Sequence, residues 1–145
     1  MYTKNTPQIS LAGAQRIIAA GLADAAARGL EVSLAVVDAG GHVAMLARTD
    51  GAELQTVRVA ETKARCAAFT ATPTGRVSKA GNNGNDHHLL AITLAAGVDA
   101  MVTVSGGQPI WLDGHCVGGV GVSGAADADQ EIALTAIAAV SPSAR

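Results

Sequence analysis

Histidine and cationic side chains set the range of chemistry open to this chain. His87 and His88 are adjacent, follow a Gly/Asn-rich stretch and precede an apolar run. Imidazole at such a place suits ligation of a metal or haem iron, or proton transfer near neutral pH. Neighbours on a helix project about 100° apart, so the two rings do not converge on one ion, and solvated side chains near a helix start are the plainer reading. His42 follows the Gly40-Gly41 turn, and His115 sits in an Asp-Gly-His corner; both read as edge positions of turns. Neither HxH nor HExxH spacing occurs, so no metal site is expected. Cys66 and Cys116 form no CxxC pair and read as small buried hydrophobes.

Among the cations, Lys63 is the odd one. It stands between Ala60, Ala64 and Ala67 on an apolar helix pattern, where it either meets an anionic group across the fold or lays its stem over apolar surface. Arg65 and Arg76 are further partners for a carboxylate. Asn82 and Asn83 fall in the polar segment GRVSKAGNNGND, whose length and lack of period mark a functional or mobile loop. The run GVGVSG near residue 120 lacks the Lys-Ser/Thr ending of a P-loop and the spacing of a dinucleotide fingerprint. Strand geometry accounts for it better, with glycines at bulges or close backbone approaches. The amides of Ser123 and Gly124, ahead of a final helix, could still hold an anion.

The elements that must position these residues follow from period and punctuation. Ser10 reads as an N-cap; Leu11, Ala14, Ile17, Ile18, Leu22 and Ala25 recur at helical spacing until Gly29. Val32–Asp38 and His42–Ala47 form a hairpin around Ala39-Gly40-Gly41. Ala52–Thr70 reads as a second helix with Leu54, Val57, Ala60, Ala64 and Ala68 inward, closed by Thr72-Pro73-Thr74, and His87–Ala96 as a short third one. Met101–Val104, Ile110–Leu112 and Cys116–Val122 read as three more strands. Ala126–Val140 closes the chain, with Asp127 and Asp129 placed against its N-terminal dipole. The expected architecture is α/β in layers (α+β): a five-stranded antiparallel sheet covered by helices, in one domain over residues 1–145.

Composition bounds the partners. Of 145 residues 49% are hydrophobic, but the aromatics are only Trp111, Tyr2 and Phe69, so the core is aliphatic and small. Such a chain gains from burying a face against copies of itself, and a homo-oligomer is expected. The net charge of −2 with no basic run argues against nucleic acid. No apolar stretch is long enough for a membrane span, no leader pattern is visible, and a cytoplasmic location is the default expectation.

Three stretches together carry a family resemblance: GGQPI, then DGHCVGGVGVSG and DADQEIALTAI, with DGAELQTVRVAETKARCAAFTATPT upstream. They resemble the GlcG/HbpS-like family, to which the C-terminal domain of PduO-type adenosyltransferases also belongs. The resemblance runs from Ser10 to Val140. It implies a profilin-like fold and a small oligomeric ligand-binding protein associated with catabolic metabolism, with haem or another planar carboxylated molecule as ligand. In some relatives the axial histidine comes from the N-terminal helix. Residues Ser10–Arg28 hold none, so haem iron would turn here to His42, His87, His88 or another group. An isomerase, tautomerase or lyase acting on a small organic acid is the alternative, with His87 or His88 as base and Lys63, Arg65 or Arg76 holding the carboxylate. An accessory or assembly subunit is the third reading.

Overall fold

The computed structural model describes residues 1–141. Ser10 caps the first helix, its Oγ accepting from the Gly13 amide at 3.1 Å. Helix α1, Leu11–Ala27, turns Ala14, Ile17, Ile18, Gly21 and Ala25 inward and ends at Gly29, whose φ of 68° is the left-handed exit the sequence calls for. Strands β1, Ser33–Asp38, and β2, Val43–Arg48, follow as a hairpin. The Asp38 carboxylate holds its turn, accepting from the Gly40 and His42 amides at 2.9 and 3.0 Å. Helix α2, Thr56–Thr70, and helix α3, Asp86–Ala96, come next. Strands β3, Gly107–Leu112, and β4, His115–Ser123, form a second hairpin, and helix α4, Ala128–Ala138, closes the fold. The two-residue turn between β3 and β4 is Asp113-Gly114, with φ of 50° and 78°, the left-handed pair that a tight hairpin demands.

The four strands hydrogen-bond in the order β2-β1-β4-β3, antiparallel throughout. Alternation along the strands divides the core in two. Leu34, Val36, Val120 and Val122 face α1 and α4 and pack with Ile17, Ile18, Ile132, Ala133 and Ala136. Each large aliphatic side chain buried there contributes about 1.5–3 kcal/mol. Ala35 and Val37 face α2 and cluster with Ala60, Ala64 and Ala68, with Leu46 of β2 at the edge. On that face the helix is held by closeness. Gly119 and Gly121 of β4 lie directly beneath the Ala64 and Ala60 carbonyls, so a β-carbon at either position would collide with helix backbone. The glycine run is therefore the bed of α2, which is the strand-geometry reading of GVGVSG.

Three sequence expectations need correction. The sheet has four strands, because Met101–Val104 pairs with no strand. Its Val-Thr-Val composition suits a sheet, but the segment runs along the end of α2, where the Val102 carbonyl takes the Cys66 thiol at 3.5 Å. Helix α2 starts at Thr56, since residues 50–55 are spent in turns, and Leu54 is exposed. Thr56 earns burial through a 2.8 Å hydrogen bond between its hydroxyl and that of Ser33. Residues 75–85 are an ordered small hairpin: Gly84 donates to the Arg76 carbonyl at 3.0 Å, Ser78 donates to the Asn82 carbonyl at 2.9 Å, and Val77 bridges Asn83. Among the described residues no helix is long and apolar enough to cross a membrane.

Candidate functional site

A cleft of about 510 Å³ opens between the C-terminal half of α2, the 72–85 segment, the inner face of α3 and residues 101–103. That volume lies within the range of small-molecule pockets. Local rules position each wall. Thr74, itself buried, pins the start of the hairpin to the sheet: its hydroxyl accepts from the Gly107 amide at 2.8 Å, and its amide donates to the Gly107 carbonyl at 3.0 Å. Asn85 caps α3 at the other end, its side chain accepting from the His88 amide at 2.9 Å. The left-handed Ala71, φ 51°, terminates α2 and turns the chain into the hairpin.

Chemically the cleft has an apolar interior and a polar mouth. Cys66, Leu89, Ile92, Met101 and Val102 supply the interior; Arg76, Lys79, Asn82, Asn83 and His88 supply the polar and basic groups. The Cys66 sulfur lies 3.5 Å from the Met101 sulfur. Burial pushes the Cys66 thiol above its ordinary pKa, so it is a neutral thiol at physiological pH. Arg76 bonds the Gly84 carbonyl at 3.0 Å and Asp86 at 2.6 Å while staying half exposed. Its guanidinium is thus oriented at the mouth without being sealed.

The sequence candidates divide sharply by location. His88, Arg76, Asn82 and Asn83 line the cleft. His87 lies next to it in the chain but is not among the lining residues, as the angular separation of neighbours on a helix requires. His42 is exposed at the tip of the β1–β2 hairpin, outside the cleft. Arg65 ties that hairpin to the chain beyond α3, bonding the carbonyls of Gly41 at 3.1 Å and Asp99 at 3.4 Å and pairing with Glu61 at 3.4 Å. Ser123 is buried, and a β-carbon on Gly124 would press on the Glu31 carbonyl at 2.6 Å. The corner ahead of α4 is already met by a carboxylate, because Asp129 accepts from the Ala125 amide at 2.8 Å.

Lys63 meets its anionic group within the chain. Its ammonium donates to Asp129 and to the Val122 carbonyl, both at 2.8 Å, and both charged side chains are about 95% buried. The clasp joins α2 to α4 past the end of the sheet, and it leaves neither Lys63 nor the Ser123–Gly124 corner facing the cleft. Sequence reasoning missed Cys66, Thr70, Met101 and Thr103 as cleft residues. One signal existed: Cys66 and Thr70 are four apart and share a helix face.

Among the described residues no cluster of three or more His, Cys, Asp or Glu side chains converges as a metal site. The chemistry of the cleft's donors nonetheless fits haem. Its interior is apolar, two cations stand near the mouth for carboxylates, and imidazole and thioether are side chains that ligate haem iron.

Comparison with known proteins gives a consistent picture. A family model described as "Haem degrading protein HbpS-like" matches residues 9–138. Protein GlcG of Escherichia coli K12 is 36% identical over 110 residues, covering 76% of this chain and 77% of GlcG. The crystal structure of the Klebsiella pneumoniae protein ORFY superposes with a TM-score of 0.85 at 27% identity, covering 97% of this chain and 96% of that one. The crystal structure of a PduOC–haem complex superposes with a TM-score of 0.78 at 30% identity, covering 92% and 95%.

Proposed function

The chain belongs to the HbpS-like family, and on that premise we propose that it binds haem, or a planar carboxylated molecule of the same class, in the cleft between α2 and α3. The observation that carries the reading is the pairing of an apolar interior with a basic mouth: Leu89, Ile92 and Met101 for the ring, Arg76 and Lys79 for the carboxylates, His88 for the iron. The haem-bound state of the PduOC structure supports it. A bound haem would supply a redox-active iron, and His88 would be the residue that holds it. Asn85 fixes the backbone from which His88 projects. Arg76 supplies a planar fork suited to a carboxylate. We further read the protein as a homo-oligomer serving catabolic metabolism.

Titration with haemin tests the reading. A shifted Soret band saturating at one equivalent is expected, lost or displaced in His88→Ala and unchanged in His42→Ala and His115→Ala. Arg76→Ala is expected to weaken binding severalfold without loss of fold. Absence of a Soret response, or equal loss in the His42 variant, would overturn it.

His88 beside Arg76 and Lys79 also favours a second reading, proton transfer on a small organic acid. Against it, no carboxylate among the described residues hydrogen-bonds the His88 ring, so nothing fixes its tautomer as a general base requires.

A further inference from the structure

Asparagine occurs at Asn5, Asn82, Asn83 and Asn85, and Asn83 alone is followed by glycine. That neighbour matters. The backbone nitrogen after an asparagine is a nucleophile within reach of the asparagine's own side-chain carbonyl carbon, and a β-carbon on the next residue obstructs the approach. Asn82 precedes another side chain, Asn5 precedes the β-branched Thr6, and the Asn85 side chain is engaged in capping α3. Asn83 is exposed on the second arm of the small hairpin, and among the described residues its carboxamide has no hydrogen-bond partner.

Closed, the hairpin restrains this chemistry. Gly84 donates its N–H to the Arg76 carbonyl at 3.0 Å, and Asn83 is bridged to Val77. The nitrogen is thereby fixed on the opposite arm and held off the neighbouring side chain. The restraint is thin. One further cross-strand bond, from Ser78 to Asn82, and a turn bond from Gly81 to Ser78 hold arms whose residues are nearly all exposed. A lone two-stranded ribbon is marginally stable, and a segment so sparsely packed opens at a small fraction of the cost of global unfolding.

We propose that Asn83-Gly84 is a site of spontaneous deamidation, gated by opening of the 75–85 hairpin, and that its product places a carboxylate at the mouth of the cleft. In the open hairpin the Gly84 nitrogen gives up its proton to base and bonds to the Asn83 side-chain carbonyl carbon. The carboxamide C–N bond breaks, and ammonia leaves with a proton that balances the one released from Gly84. Water then opens the cyclic imide: attack at the side-chain carbonyl gives aspartate, and attack at the backbone carbonyl gives isoaspartate. Either product adds a negative charge among the cleft residues Arg76 and Lys79, where Asp86 already pairs with Arg76 at 2.6 Å. The chemistry at Asn83 is independent of what the cleft binds; its effect on binding rests on the haem reading.

Incubation of the wild-type protein at mildly alkaline pH, followed by peptide mapping with fragmentation, tests the site. Conversion is expected at Asn83 and not at Asn5, Asn82 or Asn85, as a mixture of aspartate and isoaspartate, at a rate that rises with pH. Gly81→Ala puts a left-handed alanine in the hairpin turn and is expected to accelerate conversion about fivefold by opening the hairpin more often. Asn83→Gln, whose longer side chain closes the ring far more slowly, should abolish it. Three results overturn the proposal: no conversion in the native protein over a period in which the urea-unfolded chain converts fully, conversion that favours Asn82 or Asn85, or a Gly81→Ala rate equal to wild type. Asn83→Asp, a mimic of the product, is expected to bind haemin severalfold more weakly at low salt, with the difference shrinking as salt is added. Equal haemin affinity in that variant overturns the charge effect. A wild-type protein without a Soret response strikes the haem reading and the charge effect together, while the conversion rates still decide the chemistry at Asn83.

Discussion

Residues 118–123 and residues 75–84 are both rich in glycine, yet the first stretch is buried while the second stands largely in water at the mouth of the cleft. In the first, glycine is required by what lies above it: the Ala60 and Ala64 carbonyls occupy the space of a side chain at Gly121 and Gly119. In the second, Gly84 leaves room for the Leu89 side chain, and Gly81 answers to backbone sign alone. Gly81 turns the small hairpin at φ 81° with nothing within 4 Å of where a β-carbon would stand. Similar composition thus serves two physical ends: backbone packed on backbone in the sealed region, and a tight, solvated turn that carries cations and amides to a ligand.

Substitutions that exchange those demands would break the comparison. Gly121→Val forces a branched side chain into the Ala60 carbonyl and is expected to cost about 4 kcal/mol or more, enough to abolish cooperative unfolding near room temperature. A variant with a wild-type denaturant midpoint would show that α2 does not rest on β4 as described. Next in size is Asp129→Ala, which strands the Lys63 ammonium in the interior and is expected to cost about 3–5 kcal/mol by chemical denaturation. The paired change Lys63→Met/Asp129→Leu should recover most of that loss, since it removes both charges together. Gly81→Ala is the smallest: a left-handed alanine in open space costs about 1 kcal/mol and leaves the cleft walls in place. If Gly81→Ala proved as damaging as Gly121→Val, the distinction between the two stretches would fail.

Local features were legible in the sequence because their causes are local. The Ser10 cap, the Asp113-Gly114 turn and the alanine spacing of α2 each follow from neighbours within a few residues. The oddity of Lys63 among alanines was visible too, but Asp129 lies 66 residues further on and only the topology brings the two together. The cleft was the least readable part. Its walls run from Cys66 to Ile92 and are completed by residues 101–103, which carry the composition of a strand while serving as lining. The polar 75–85 stretch looked irregular because two cross-strand hydrogen bonds around a turn at Ser78–Gly81 are too few to set a period.

The clasp between Lys63 and Asp129 also bears on how the chain comes to be finished at the ribosome. Synthesis delivers the ammonium long before its counter-charge, so a nascent chain that stops short of α4 must keep that region of α2 wet. The sheet can begin to assemble earlier, but its final sealing waits for the last helix to emerge. Fragments released before that point would be marked for proteolysis by an end that cannot close.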